Sequence, residues 1–387
     1  MIKPKIRFKG YQEEWEQRKL GAVAEYRNGK AHENEIDDDG EYIVVNSKFV
    51  STNGEIRKFS SAQNEPLYEN EIAFVLSDVP NGRAIARTFL IDRSGKYTLN
   101  QRIAGITPHE DTDPYYLYIK MNRNAYFLKF DDGNKQTNLS IKDVLNYEDM
   151  YPSYTEQQKI GEYFCDLDHL ITLHHRKCEE MKILKKYMLQ KMFPQNGNSV
   201  PEIRFLGFTE DWEQRKFSEM VTIERGGSPR PIDKFITNDK NGLNWVKIGD
   251  APEQGNYITQ TAEKIRPEGL SKTREVHPGD LILSNSMSFG RPYIMAIDGC
   301  IHDGWLAIRD TKKNFDLKFL CTLLGTDSML NQYKAMAAGS TVNNLNKELV
   351  GGTIIAFPML EEQIKIGDYF TSIDHLITLH HRKQICV

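Results

Sequence analysis

Apolar residues alternate three and four positions apart in two long stretches of the chain, a spacing that places them on one helix face. The first stretch, about 155–193, lacks proline and has a single glycine, Gly161. It therefore predicts a helix of roughly 38 residues with a length of about 57 Å. The second stretch is 361–383. The spacing is typical of a coiled-coil seam, and we expect the two helices to pack antiparallel. The predicted seam residues are Ile160, Phe164, Leu167, Ile171, His174, Cys178, Met181, Lys185, Met188 and Met192, with Ile366, Phe370, Ile373, Ile377 and His380 on the second helix.

Short runs rich in β-branched and aromatic residues, separated by turn formers, occupy the rest of the chain. Examples are EYIVVNSKFV, EIAFVLSDV and KYTLNQRIAGIT in the first half, and LNWVKIGD, DLILSNSM and RPYIMAIDG in the second. Helices are expected between these runs over 114–130 and 316–337. Each half is therefore predicted to be an α+β globule with a twisted sheet.

Two phrases occur twice in the chain. PKIRFKGYQEEWEQRKL at 4–20 returns as PEIRFLGFTEDWEQRKF at 201–217, and we call this the Arg-Trp phrase. EQQKIGEYFCDLDHLITLHHRK at 156–177 returns as EQIKIGDYFTSIDHLITLHHRK at 362–383, and we call this the helix phrase. A weaker repeat, GNKQTNLS and GSTVNNLN, precedes the helix phrase. The sequences between the phrases hardly resemble each other, so a common frame surrounds two unlike globules.

This frame gives four segments with a pseudo-twofold internal repeat. The predicted domains are a first globule at 1–151, a central helix at 152–195, a second globule at 196–358 and a distal helix at 359–387. After the helix phrase the central copy continues with CEEMKILKKYMLQKMFPQ, whereas the distal copy is followed by QICV. The distal helix is therefore expected to be the shorter of the two.

Composition narrows the class of protein. Hydrophobic residues make up 39% and charged residues 27%, as in ordinary folded domains. A net charge of -4 argues against a protein that coats DNA with a uniformly basic surface, although the local charge matters more than the sum. Five cysteines without a C-x-x-C pair predict reduced thiols and no zinc site. With neither a signal peptide nor an apolar run of about 18 residues, the expected location is the cytoplasm.

The motifs of DNA-modifying and nucleotide-driven enzymes are missing from the sequence. There is no Pro-Pro pair of the kind used in amino-methyltransferase loops, no G-x-x-x-x-G-K-[ST] and no G-x-G-x-x-G. The chain is therefore predicted to be non-catalytic. Two alternatives stay open: a coiled-coil adaptor that does not read DNA, and a self-sufficient DNA methyltransferase or nuclease.

The repeated phrases resemble those of the specificity subunit of type I restriction-modification systems, which serve bacterial defence. The resemblance covers nearly the whole chain, with I-R-F-x-G-F/Y-x-x-x-W-E-Q-R-K before each variable region and E-Q-x-K-I after it. It implies two target recognition domains that each read half of an asymmetric, bipartite double-stranded DNA target. It also implies that the helices set the spacer and dock two methyltransferase subunits and, through them, motor-nuclease restriction subunits for adenine methylation and DNA cleavage.

The same resemblance implies which cofactors to expect. None is bound by this chain, and S-adenosylmethionine, ATP and Mg are expected on the partner subunits. The distal helix phrase departs from the family pattern, since only QICV follows it here.

Candidate DNA-binding residues are polar and basic side chains on loops that follow predicted strands, because such side chains pair with base edges. For any single loop the plainer interpretation is an ordinary hairpin turn, and Asn138 and Asn344 are equally consistent with caps of the scaffold. The candidates are Lys30, Ser77, Asn81, Arg83, Lys135, Gln136 and Asn138 in the first half, and Arg225, Ser228, Arg230, Ser284, Asn285, Ser288, Arg291, Thr341, Asn343 and Asn344 in the second.

The histidines of the helix phrase are candidates for helix packing and for docking partners. A zinc site is disfavoured because adjacent histidines point about 100° apart on a helix. Trp15 and Trp212 are interpreted as anchors of the globules against the helices rather than as stacking platforms for bases. The candidate docking residues are His169, His174, His175, Arg176, His375, His380, His381 and Arg382.

Overall fold

The computed structural model describes residues 4–32, 34–195, 197–285, 289–337 and 345–385, with backbone alone for 382–385. The chain divides into two compact units, Met1–Leu170 and Ile171–Val387, and the boundary lies inside the long central helix. Among the described residues, no helix combines the length and the apolar character needed to cross a membrane.

The described residues of the first unit form eleven short strands, and most of its helices are brief. A 3-10 helix spans Leu20–Ala22. The strands are β1 (Glu16–Lys19), β2 (Ala24–Asn28), β3 (Tyr42–Val45), β4 (Phe59–Ser60), β5 (Ile72–Val75), β6 (Ser77–Asp78), β7 (Thr88–Leu90), β8 (Tyr97–Leu99), β9 (Ile103–Pro108), β10 (Thr137–Asn138) and β11 (Glu148–Tyr151). The helices are α1 (Ser47–Ser51), α2 (Pro114–Met121), α3 (Ala125–Leu128), α4 (Ile141–Leu145) and the start of α5 (Tyr154–Lys191).

Strand β5 lies at the centre of the first unit and is buried on both faces. It belongs to an antiparallel sheet of order β2-β9-β5-β7, while β4-β3-β8 form a second sheet. Because side chains alternate along a strand, Ile72 and Phe74 pack in the core with α2 and α3. Ala73 and Val75 pack in a separate core with the second sheet. The α+β class is confirmed. The strands form several sheets instead of one, because the sheet that contains β5 is buried on both faces, by helices on one face and by the second sheet on the other.

The second unit follows the same plan, with twelve strands in the part of it that the structure describes. The strands are β12 (Glu213–Lys216), β13 (Thr222–Arg225), β14 (Ile236–Thr237), β15 (Leu243–Val246), β16 (Tyr257–Ile258), β17 (Glu263–Ile265), β18 (Arg274–Val276), β19 (Leu281–Ser284), β20 (Pro292–Met295), β21 (Gly299–Ile301), β22 (Trp305–Arg309) and β23 (Ile354–Phe357). The helices are α6 (Phe217–Met220), α7 (Leu317–Leu324), α8 (Asp327–Ala337), α9 (Lys347–Gly352) and α10 (Leu360–Ile385), with 3-10 helices at Ile232–Lys234, Ile248–Asp250 and Pro267–Lys272.

Strand β19 takes the central place in the second unit. Its sheet has the order β13-β22-β19-β20-β16, and a second five-stranded sheet has the order β14-β17-β15-β21-β18. Leu281 and Leu283 pack in the core that also contains residues of the long helices. Ile282 points to the opposite core, with Trp305 and Tyr293. Both unlike globules therefore use one buried central strand between helices and a second sheet.

The helices expected over 114–130 and 316–337 are each interrupted, so those two predictions were wrong in extent. In the first, Arg123 adopts a left-handed backbone conformation with φ of 53°, and Asn124 caps α3 by accepting a hydrogen bond from Tyr126. In the second, α7 ends at Leu324 and α8 begins at Asp327, with the Thr326 hydroxyl between them accepting a hydrogen bond from Met329 N–H. A left-handed residue interrupts the first helix and a threonine cap restarts the second, and apolar periodicity reveals neither.

The Arg-Trp phrase and the helix phrase are joined in each unit by the same ion pair. Arg7 donates two hydrogen bonds of 2.7 Å to the carboxylate of Glu156, whose side chain is fully buried. Arg204 makes the same bidentate contact, again at 2.7 Å, with the buried Glu362. The hydrogen bond from each arginine to its glutamate raises the pKa of the guanidinium. These pairs are a physical reason for the arginine and glutamate in the repeated phrases.

A strand pair provides a second link between the phrases. The E-Q-R-K sequence at the end of the Arg-Trp phrase forms β1 in one unit and β12 in the other. Strand β1 pairs antiparallel with β11, and β12 pairs antiparallel with β23. Both β11 and β23 immediately precede a long helix, so the repeated phrases build a scaffold from which that helix begins.

The antiparallel helix pair predicted from the seam is present in the second unit. His174 Nδ1 lies 3.0 Å from His380 Nδ1, and Cys178 Sγ lies 3.8 Å from the carbonyl oxygen of Ile377. Lys185, a polar interruption of the seam, makes an ion pair of 2.6 Å with Asp374. Contact positions rise along α5 as they fall along α10, which is the antiparallel arrangement.

Candidate DNA interface

Two loops predicted as separate candidates in the first unit are brought together by the ribbon of β6 and β10. Thr137 pairs with Asp78, and Asn138 pairs with Ser77. The Gln136 amide donates a hydrogen bond of 2.8 Å to Ser77 Oγ, and the Asn81 amide donates one of 3.2 Å to the Gly133 carbonyl. The ribbon fixes both loops on a rigid support, which a base-reading surface needs.

The exposed side chains of this ribbon are available to a ligand. Arg83, Lys135 and Asn138 are exposed, whereas Ser77 is buried and serves to hold Gln136. Asn81 has a positive φ of 55°, so it also shapes the turn. The exposed residues predicted in this ribbon supply hydrogen-bond donors for a ligand, while Ser77 holds the side chain of Gln136 in position.

A third segment, containing Lys30, reaches the same sheet end through the turn between β8 and β9. The Lys30 backbone N–H donates to Leu99, and its carbonyl accepts from the N–H of Gln101. The Lys30 ammonium forms an ion pair of 2.9 Å with Glu65. Gln101 and Arg102 in that turn are exposed, and the Arg102 carbonyl accepts a hydrogen bond of 3.0 Å from Leu76 at the start of the ribbon.

Gln101 and Arg102 were missed by the sequence interpretation. The signal was a polar Asn-Gln-Arg interruption inside a run that otherwise reads as strand. Such an interruption is also what any hairpin turn contains, so only the hydrogen bond to Leu76 shows that it adjoins the candidate ribbon.

In the second unit the turn at Asp303 is the common contact of two other segments, which contain Arg225 with Ser228 and Asn285. Ser228 Oγ donates to Asp303 Oδ1 at 3.0 Å, and the Asn285 amide donates to the Asp303 carbonyl at 2.8 Å. Arg225 Nε lies 3.5 Å from the same carbonyl. His302 Nε2 lies 2.8 Å from Asp303 Oδ1. Three separately predicted residues thus converge on a turn that the sequence interpretation had not singled out.

The environment of His302 favours its neutral form. Burial lowers the pKa of His302; the Asp303 carboxylate opposes this shift, and the cations Arg230 and Lys247 add to it. Gly304 N–H donates to His302 Nδ1 at 3.0 Å, which places the proton of a neutral ring on Nε2, facing Asp303. His302 also packs against Trp245 with ring centroids 5.4 Å apart. The exposed Arg225 and Arg230 provide local positive charge in this region.

Equivalent backbone hydrogen bonds hold four loop segments together at the candidate interface of each unit, although the side chains on these segments differ between the units. Gly29 N–H donates to Ile103, and Gly226 N–H donates to Trp305. Leu76 N–H donates to Arg102, and Asn285 N–H donates to Gly304. The leucine that follows the Asn-rich repeat closes each set, since Leu139 N–H donates to the Leu76 carbonyl and Leu345 N–H donates to the Asn285 carbonyl. A constant backbone frame with variable side chains is therefore located at the end of each central strand.

Two of the predicted residues in the second unit have clear structural contacts. Ser284 is fully buried and its hydroxyl accepts a hydrogen bond from Arg291 N–H at 2.9 Å. The Arg291 guanidinium donates to the carbonyls of Glu253 and Gly255 and lies 5.0 Å from the Tyr293 ring centroid. Both contacts fix the loop around this strand end. Ser288, Thr341, Asn343 and Asn344 lie outside the described residues.

The predicted docking residues separate into two groups. His174 and His380 lie against each other between α5 and α10, with ring centroids 5.2 Å apart, so they belong to the helix interface. The second group has exposed side chains, which are suited to contact another protein. It consists of His169, His175, Arg176 and His375. His381 is half-buried, and the side chain of Arg382 lies outside the described residues. Within the described part of the chain, no group of three or more His, Cys, Asp or Glu is placed to hold a metal ion.

The tryptophans differ in burial between the two units. Trp212 is 2% exposed and its ring lies 5.9 Å from both Phe193 and Phe319, which agrees with the predicted role as an anchor against the helix. Trp15 is half-buried. The Nε1 atoms of both are buried without a hydrogen-bond partner within the described residues.

Comparison with known proteins gives a consistent result. The family of the type I restriction modification DNA specificity domain matches this chain twice, at residues 12–182 and 209–386. The type I restriction enzyme MjaVIII specificity subunit of Methanocaldococcus jannaschii is 24% identical over 400 aligned positions, covering 96% of this chain and 89% of that protein. A putative type I restriction enzyme MjaX specificity subunit from the same organism is 22% identical, with the same coverage.

The fold is also shared with a solved structure. The S subunit of a type I restriction-modification system from M. genitalium superposes with a TM-score of 0.65 at 13% identity, covering 100% of this chain and 96% of that one. At this identity the likeness concerns the fold alone. Because the family matches most of both halves, the chain belongs to the type I restriction-modification DNA specificity family, as the subunit that supplies DNA specificity rather than catalysis.

Proposed function

We propose that each unit reads one half of an asymmetric, two-part DNA target with the loop segments that are held together at the end of its central strand, β5 or β19. The observation that carries this proposal is the shared frame: equivalent hydrogen bonds hold four segments at the end of each central strand, and the side chains on them differ. A rigid support with exchangeable loop residues is what sequence-specific recognition requires.

In the first unit the proposed base or phosphate contacts are the exposed Arg83, Lys135 and Asn138, with Lys30 beside them. Gln136 and Asn81 hold the loops and offer further amide groups. Arginine and lysine pair with guanine or phosphate, and asparagine and glutamine pair with adenine. In the second unit the proposed contacts are the exposed Arg225 and Arg230 with Ser228 beside Asp303, while the buried Asn285 holds the loop. Thr341, Asn343 and Asn344, which lie outside the described residues, are proposed as further contacts.

The helices are proposed to set the spacing of the half-sites and to dock two methyltransferase subunits. The exposed histidines and Arg176 of the helix phrase support this role, since they lie outside the helix interface. Motor-nuclease restriction subunits would join through the methyltransferase, and S-adenosylmethionine, ATP and Mg would be bound by those partners. The expected site of action is the cytoplasm, where the DNA is.

A domain exchange tests the proposal. Residues 21–151 are replaced by the corresponding domain of a relative with a different target, and genomic methylation is mapped by single-molecule sequencing in cells that supply the partner subunits. We expect one half of the recognition motif to change and the other half to stay the same. A change in both halves, or in neither, would contradict the assignment of one half-site to each unit.

Single substitutions then locate the surface. Arg83→Ala should weaken binding to the cognate half-site by about 1–3 kcal/mol if Arg83 contacts a base. Arg93, a basic residue of the same unit and outside the four segments, provides the matched control through Arg93→Ala. Equal binding by the two variants would remove Arg83 from the interface.

A further inference from the structure

One position of the constant backbone frame carries an arginine in the first unit and a glycine in the second. The Arg102 carbonyl, in the turn between β8 and β9, accepts a hydrogen bond of 3.0 Å from Leu76 N–H. The Gly304 carbonyl accepts one of 2.9 Å from Asn285 N–H in the second unit. Arg102 and Gly304 are therefore equivalent in the frame, and only the first of these positions carries a side chain.

The turn that contains Arg102 is held close to the segment after β2. Gln101 N–H donates a hydrogen bond of 2.9 Å to the Lys30 carbonyl. A Cβ atom on Gly29 would lie 2.0 Å from the carbonyl oxygen of Asn100, so only a glycine allows the two segments to approach this closely. The backbone of the turn is therefore fixed against two other segments of the frame, and the direction in which the arginine leaves it is fixed as well.

The backbone of Arg102 is in an unfavourable conformation. Its φ is 67°, in the left-handed region, where a Cβ atom comes too close to the following carbonyl oxygen. Glycine adopts this conformation without that steric cost, so stability alone would favour glycine at this exposed position. Strained residues of this kind cluster at functional sites, where the side chain has a use that offsets the cost.

The Arg102 guanidinium makes no hydrogen bond or ion pair with the residues that the structure describes. Other arginines of the first unit serve its structure: Arg27 pairs with Glu71 at 2.5 Å, and Arg123 donates to two carbonyl groups. Asp78, the carboxylate on the segment that follows β5, already accepts hydrogen bonds from three backbone N–H groups of its own loop. The donors of Arg102 are therefore available to a ligand.

We propose that Arg102 is a specificity-determining residue of the first unit and reads a guanine in the half-site that this unit binds. This role rests on the proposed function, because a base contact exists only if the loops at the end of β5 bind DNA. Arginine donates two hydrogen bonds to O6 and N7 of guanine in the major groove, a pattern that the other bases do not offer. A bidentate contact needs a fixed approach, which the backbone bonds of the turn provide. Gly304 leaves the second unit without this donor, which contributes to the difference between the two half-sites.

The test is Arg102→Gly in the full chain, expressed with its partner subunits. The variant should unfold at a Tm no lower than that of the unchanged chain, because glycine adopts the left-handed backbone without strain. Mapping of genomic methylation should show that one guanine of the motif is no longer required, in the half that the exchange of residues 21–151 alters. In competition binding with duplexes that differ at this base, the preference for guanine should fall about 5- to 150-fold. Arg93→Gly removes the same charge from the exposed turn before β8, at the other end of that strand, and should leave the motif unchanged.

Three results would overturn this role of Arg102. A lower Tm of Arg102→Gly with weaker binding to every sequence would make Arg102 a structural residue. An unchanged motif with a uniform loss of affinity, and a salt dependence reduced by about one phosphate contact, would make it a phosphate ligand. A two-part motif without guanine in the half read by the first unit would exclude the base contact and leave the proposed function in place. If the unchanged chain gave no two-part motif at all, the proposed function would fail together with this role.

Discussion

The ion pair between Arg204 and Glu362 gives a direct test of how the repeated phrases hold the second unit together. Glu362 is fully buried and both of its oxygens accept hydrogen bonds of 2.7 Å from Arg204, whose side chain is 11% exposed. The substitution Arg204→Met keeps much of the side-chain volume but leaves the carboxylate buried without its cation.

The expected loss is large for a single substitution. Removing one partner of a buried pair costs about 3–5 kcal/mol, and the partial exposure of Arg204 favours the lower end, about 3 kcal/mol. For a unit of this size that corresponds to a fall of roughly 6–12 °C in Tm. The loss arises from desolvation of the remaining charge more than from the attraction that is removed.

Urea unfolding followed by tryptophan fluorescence measures the effect, since Trp212, Trp245 and Trp305 all lie in this unit. The double variant Arg204→Met/Glu362→Leu should recover most of the loss, because an apolar pair leaves no charge buried. Lys318→Met removes an exposed ion pair with Asp368 and should cost no more than about 1 kcal/mol. A loss below about 1 kcal/mol for Arg204→Met, or no recovery in the double variant, would refute the reasoning.

Three further outcomes are expected. Burial lowers the pKa of His302, so the stability that its neutral form contributes is present above the ordinary histidine pKa of about 6.5 and is lost as the pH falls. Between pH 7 and pH 5 the urea midpoint of the His302→Asn variant should therefore fall less steeply than that of the unchanged chain. Equal slopes for the two proteins would argue against this. Asp303→Ala removes the acceptor of Ser228 and should weaken binding to one half-site in a mobility-shift assay, whereas unaltered affinity would exclude the turn from the interface. Arg176→Glu should reduce co-purification of the methyltransferase without changing DNA affinity, and full recovery of the complex would remove Arg176 from the docking face.

The frame of the fold could be predicted from the sequence because its signals are periodic or repeated. Helix periodicity located α5 and α10 to within a few residues, and His174 and His380, which were both predicted on the seam, meet at the helix interface. The structural role of the Arg-Trp phrase could not be predicted from periodicity or repetition. Its arginine meets a glutamate that lies 149 positions away in the first unit, and only the folded chain brings them together.

The candidate site was predictable only in part. Loops following strands pointed to Gln136 and Ser77, which the structure joins, but His302 and Asp303 escaped notice because polar residues between strands are typical of any turn. The interruption at Arg123 escaped for a related reason, since a left-handed residue depends on its surroundings more than on its own propensity. Which side chains meet at a strand end depends on tertiary pairing, which local patterns do not encode.

Two unlike units of one chain are proposed to read the two halves of one DNA target. Adenine methylation is mapped across the genome of cells that express this chain together with the proposed methyltransferase and restriction subunits. We predict a motif of two different short specified segments separated by a fixed unspecified gap. A symmetric motif, or one without a gap, would contradict it.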